Sequence, residues 1–101
     1  MIYHVTTRHN WDLAIEQGMY HHESLITENF IHACSKEQLP GVIHRYYRDT
    51  PSLILLQIDE TLLKYPLKYE ESPSTGDFFP HIYGPVNLDA VIHTEPYDHM
   101  E

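Results

Sequence analysis

Leu53-Ile54-Leu55-Leu56-Gln57-Ile58, set between Pro51 and Asp59, is the stretch on which the fold turns. A short apolar run with a turn-forming residue at each end predicts a strand. Because residues of both parities are apolar, it predicts one covered on both faces, in the interior of a sheet.

Upstream, Ser35 is followed three residues later by Gln38, a capping-box signature. Val42, Ile43, Tyr46 and Tyr47 then supply an apolar face at helical spacing, so a helix is expected to run to Tyr47 or Arg48, with Pro40 near its start. Phe30-Ile31-His32-Ala33-Cys34 predicts a strand. The polar stretch from Met19 to Asn29 has no clean period and is either an extended loop or a short helical turn. At the start, Ile2-Tyr3-His4-Val5-Thr6 predicts a strand, and Thr7 caps a helix with Trp11, Ala14 and Ile15 as its apolar stripe and Gly18 as its stop.

Downstream, Leu67-Lys68-Tyr69-Glu70 alternates as a strand, Pro73-Ser74-Thr75-Gly76-Asp77 is rich in turn formers, and Phe79 to Tyr83 resumes as extended chain before Gly84-Pro85. Ala90-Val91-Ile92-His93-Thr94 predicts a last short strand. Two early helices packed on small, mostly antiparallel sheets that come late in the chain give an α+β class. No repeat interrupts this order, and the 101 residues allow one domain with one core.

The chain carries 6 Lys and Arg against 15 Asp and Glu, a formal charge of −9. Such a field repels phosphate polymers and anionic lipid, so a nucleic-acid or membrane partner is not expected. The first residues lack the basic start and apolar core of a signal peptide, and no run is long enough to span a bilayer, which points to the cytoplasm. Cys34 is the only cysteine. It forms no internal disulfide, and with no local base it reads as a small buried side chain rather than a nucleophile.

Nine histidines are the most unusual feature of the composition. About two thirds of them are expected to be solvated or satisfied in the core, given how often His is only partly buried. His21 and His22 are adjacent and point apart on any regular strand. His4, His32 and His81 stand out because each interrupts an apolar or aromatic segment, where a polar ring needs a partner or a cleft. Glu70 closes Leu67-Lys68-Tyr69-Glu70 beside aromatic surface. It is either a site carboxylate or a solvated strand end. His32, Glu70 and His81 are expected around one cleft.

Ile2-Tyr3-His4, Arg8 with Trp11, Phe30-Ile31-His32-Ala33-Cys34-Ser35, Leu67-Lys68-Tyr69-Glu70 and Phe79-Pro80-His81-Ile82-Tyr83-Gly84-Pro85 together resemble the bacterial family called domain of unknown function 952. That resemblance implies an ADP-ribosyltransferase-like fold of two small packed sheets around a cleft for NAD-like dinucleotides. It implies catalytic roles for His4, His32, Glu70 and His81, and substrate contacts from Arg8, Ser35 and Tyr83. Val5 stands where such transferases place a glycine after the first His. Arg8, Arg45 and Arg48 are the basic candidates for a pyrophosphate, and Arg8 is the one beside a motif.

Three functions follow as expectations. The first is an enzyme that breaks an N-glycosidic or phosphoester bond in a nucleotide-like substrate, with NAD as the substrate implied by the resemblance. There His4 orients a ribose hydroxyl, His32 hydrogen-bonds or shuttles a proton, and Glu70 offsets developing positive charge. The second is a non-catalytic small-ligand-binding or regulatory domain. The third, weaker, is a divalent-metal site of His32, His81 and Glu70.

Overall fold

The computed structural model describes residues 1–97. The chain runs β1 (Ile2–Thr7), α1 (Arg8–Gln17), β2 (Met19–Tyr20), α2 (Ser24–Thr27), β3 (Ile31–His32) and α3 (Leu39–Val42), which continues as a π-helical turn over Ile43–Tyr47. It goes on through β4 (Leu53–Ile58), a 3-10 turn at Glu60–Leu62, β5 (Leu67–Glu71), β6 (Phe78–Ile82), β7 (Val86–Asn87), a second 3-10 turn at Leu88–Ala90, and β8 (Val91–Tyr97). The class is α+β with small antiparallel sheets. None of the described helices is long and apolar enough to cross a membrane.

β4 lies between β1 and β8 and is covered on both faces. Ile54, Leu56 and Ile58 enter the main core beside Ile2, Tyr20, Ile31, Ile82 and Val86. Leu53 and Leu55 face the other way, onto Val5, Ile43 and Tyr47. Period-two alternation therefore splits one strand between two apolar clusters, which is why both parities had to be apolar.

α1 begins and ends on the expected signals. The Asn10 amide donates to Thr7 Oγ1 at 3.1 Å. Gly18 has φ +80° and its amide donates to Ala14 O, the left-handed cap that glycine adopts without a Cβ penalty. The expected stripe is corrected at one position: Ala14 is buried and Trp11 half-buried, but Ile15 is exposed. Successive helix residues are turned by about 100°. A helix that lays Ala14 on the core therefore rotates Ile15 outward.

The second helix starts later than its signature. Ser35 and Gln38 form the reciprocal pair, Gln38 N donating to Ser35 Oγ and Ser35 N to Gln38 Oε1, but residues 36–38 make a turn before α3 begins at Leu39.

The remaining sheets are β2–β7 and β3–β6–β5. Pro80 sits buried in the middle strand β6, where a missing amide usually breaks a ladder. In an antiparallel strand a residue's amide and carbonyl point to the same side. The Pro80 carbonyl accepts from Ala33 N, so the missing N–H faces the β3 side, where the ladder ends at His32. A reciprocal pair of backbone hydrogen bonds between Tyr3 and Cys34 ties this sheet to β1.

Candidate functional site

The β3–β6–β5 sheet has one face in the core and one facing outward. Ile31, Pro80 and Ile82 point inward, and their neighbours His32, His81, Phe79, Lys68 and Glu70 take the other side. His32 and His81 are directly opposed across the ladder, so their side chains must emerge together. Their ring centroids are 5.4 Å apart and nearly perpendicular.

Each of these imidazoles is paired with a carboxylate. His81 Nδ1 donates to Glu70 Oε1 at 2.7 Å, and the Tyr83 hydroxyl donates to the same oxygen at 2.6 Å. His32 Nε2 donates to Glu28 Oε1 at 3.0 Å. The Tyr83 hydroxyl first, and His81 second, hold the Glu70 carboxyl below its usual range, and the carboxylate in turn pushes the Tyr83 phenol up. Glu70 is thus ionised at neutral pH, with Oε2 unclaimed among the described residues.

His81 is 8% exposed, yet no buried side-chain nitrogen or oxygen among the described residues lacks a partner. Nε2 of His81 has no hydrogen-bond partner among the described residues and is not fully enclosed. Phe30 stacks on this ring at 4.0 Å and 16°, and is brought there by Asn29, whose φ of +74° turns the chain just before β3.

His81, His32 and Phe30 line a cleft of about 620 Å³, completed by the π-helical turn (Arg45, Tyr46, Tyr47), by His22 and Glu23, and by Glu71 to Pro73. His22 is half-buried, and its Nδ1 accepts from the Ser24 amide at 3.1 Å, leaving the ring proton on Nε2; burial lowers its pKa.

His4 is placed differently from its strand-breaking neighbours. It is 4% exposed, and burial lowers its pKa to about 3, so the ring is neutral. Nδ1 donates to the His32 carbonyl at 2.6 Å, which leaves Nε2 only a lone pair. Tyr20 Oη lies 2.7 Å from that nitrogen and 2.9 Å from Thr6 Oγ1. Proton counting then has Thr6 donating to Tyr20 and Tyr20 to His4. His4 therefore meets the cleft with its ring alone, and it fixes the backbone of His32.

Arg8 is exposed and lines a separate cavity against Pro51, Ser52 and Tyr97; it does not line the cleft. Ser35 spends its amide and hydroxyl on Gln38. Among the described residues no group of three or more His, Cys, Asp and Glu is arranged to hold a metal ion, and His32 and His81 direct one nitrogen each to different carboxylates. Cys34 is buried, and its thiol is pushed up to about 12 by that burial.

Sequence reasoning missed Tyr20, Glu28 and Phe30, and it set Arg45 behind Arg8. Tyr20 carries no local signal, because its partners lie 14 and 16 residues away. Asn29 ahead of Phe30 was the legible one, since Asn tolerates the left-handed region.

A comparison with curated proteins finds no match. Among solved structures, the crystal structure of protein CC0527 from Caulobacter crescentus is 31% identical, with a TM-score of 0.88 over 96% of this chain and 85% of that one. The solution NMR structure of CC0527 is likewise 31% identical, with a TM-score of 0.82 over 96% of this chain and 84% of that one. Residues 5–94 match the family described as "Protein of unknown function (DUF952)", and the chain belongs to that family.

Proposed function

We propose that the chain is an enzyme that breaks the N-glycosidic bond of a nucleotide-like substrate such as NAD, on an ADP-ribosyltransferase-like fold, with His81 as general base. The observation that carries this reading is the Glu70–His81 pair. One imidazole nitrogen is held 2.7 Å from a carboxylate while the other has no partner among the described residues. A carboxylate on Nδ1–H selects the tautomer whose lone pair is on Nε2.

Nε2 takes the proton of a water or acceptor hydroxyl as its oxygen bonds to C1′ of the ribose. The C1′–N bond breaks with its electron pair going to the base, so a pyridinium departs as neutral nicotinamide and needs no proton. Glu70, which does not line the cleft, acts through His81: its Oε1 offsets the charge that the imidazolium gains. Phe30 and Tyr46 offer flat faces to a base. His32, oriented by Glu28 and by the His4 bond to its carbonyl, supplies Nδ1 to a ribose hydroxyl.

The test is nicotinamide release from NAD, followed chromatographically. Glu70→Gln and His81→Asn are each expected to lower kcat by about 10²–10⁴-fold, the usual worth of positioned acid–base catalysis, with little change in KM. Wild-type protein that binds NAD or ADP-ribose and turns nothing over removes the enzymatic reading. A second reading, a non-catalytic small-ligand or regulatory domain, is favoured by Val5 at the position of the transferase glycine. It then stands, and Glu70→Gln alters affinity alone.

A further inference from the structure

The six Lys and Arg side chains all fall within the described residues, and of them Arg45 alone lines the cleft. Glu23, Glu28 and Glu71 line it too, yet Arg45 forms no ion pair among the described residues. None of the six basic side chains forms an ion pair among the described residues, and Arg45 is the one of them set at the wall of the aromatic cleft, where an anionic group of a ligand can meet it.

Its setting is organised in advance. Arg45 belongs to the π-helical turn Ile43–Tyr47, an irregularity frequent at functional sites. The guanidinium folds back along its own helix. A Cβ at Gly41, four residues earlier, would stand 3.4 Å from Nη1, so the guanidinium lies close against the helix there. The guanidinium carbon lies 5.8 Å from the centroid of the Tyr46 ring. A planar fork held on a helix surface loses little freedom on binding and matches phosphate oxygens in pairs.

We propose that Arg45 is the phosphate anchor of the cleft, and that its occupant carries a phosphate or pyrophosphate attached to the nucleoside. This rests on the nucleotide-processing reading above and names which part of the substrate this wall holds. Glu23, Glu28 and Glu71 repel a bare anion, so the nucleoside portion is needed to bring the phosphate to Arg45.

Titration calorimetry with ADP-ribose and with adenosine tests it, on wild type, Arg45→Gln and Arg45→Lys. Arg45 is exposed, and melting curves by circular dichroism check that each variant keeps the fold. Losing a charge-assisted bond is expected to weaken ADP-ribose about 10–100-fold while adenosine changes by less than about twofold. Arg45→Lys should fall between, because it keeps the charge and loses the fork. ADP-ribose affinity that is unchanged in Arg45→Gln, or an equal loss for both probes, overturns the proposal. A wild type that binds neither probe overturns this proposal and the function together. Arg45-dependent ADP-ribose binding without nicotinamide release from NAD upholds the anchor and removes only the chemistry.

Discussion

Replacing Tyr20 by Phe isolates one hydroxyl in the middle of the core. The Tyr20 side chain is 0% exposed, and its Oη stands between His4 Nε2 at 2.7 Å and Thr6 Oγ1 at 2.9 Å. Phe keeps the ring and its packing but strands the Nε2 lone pair of a histidine that is itself 4% exposed. A buried acceptor left unpaired costs about 1–3 kcal/mol, and the lost Thr6 bond adds roughly 0.5–1.5 kcal/mol. The expected loss is centred on about 2–3 kcal/mol. At roughly 4–8 °C per kcal/mol for a domain of this size, Tm should fall by about 10–20 °C. Thr6→Val should cost less, about 0.5–1.5 kcal/mol, because Tyr20 still gives its proton to His4. Urea unfolding of both variants supplies the two numbers. A Tyr20→Phe loss under about 0.5 kcal/mol, or a larger loss in Thr6→Val, refutes the proton order Thr6 to Tyr20 to His4.

The same buried histidine makes stability depend on acid. The unfolded chain protonates His4 below its ordinary value of 6.5, while the folded chain resists to about 3. Stability is therefore complete above that ordinary value and falls as pH drops through the window, by up to about 1.4 kcal/mol per pH unit, with His22 shifting in the same direction. A urea midpoint that stays flat between neutrality and mildly acidic pH contradicts a neutral, buried His4. Gly84 is a steric site, since a Cβ there would collide with the Tyr65 side chain at Cβ, Cγ and Cδ1. Gly84→Ala should cost about 1–3 kcal/mol, and Tyr65→Ala in the same chain should return most of it; a double variant no better than the single one rules out the clash as the cause. Burial lifts the Cys34 thiol to about 12, so a disulfide-exchange reagent should leave native protein unmodified and label it fully in denaturant. Rapid labelling without denaturant would show the thiol to be accessible.

By itself the sequence determined whatever depends on neighbours along the chain. The double-parity apolar run at Leu53–Ile58 identified the interior strand. Thr7 and Gly18 bounded α1, and Ser35 with Gln38 marked the entry to α3. These signals repeat every two, three or four residues, so a linear reading contains them. It also contained His32, Glu70 and His81 as residues out of keeping with their segments, but not which carboxylate each histidine would meet. Tertiary structure decided that. The opposed pairing of His32 with His81 comes from a register between segments about fifty residues apart, and the Glu28 contact comes from the turn at Asn29. It also separated two arginines that look alike in sequence: Arg8, beside a motif, lies on another cavity, while Arg45, beside none, reaches the cleft on the π-helical turn. His4 and His81 each interrupt an apolar strand in the same way, and only the layer behind each tells them apart. Burial keeps His4 neutral, with Tyr20 on its Nε2, whereas Glu70 holds one nitrogen of His81 and leaves the other without a partner among the described residues. A strand's period says which residues share a face, and only the packing of distant segments says whether that face meets the core or a cleft.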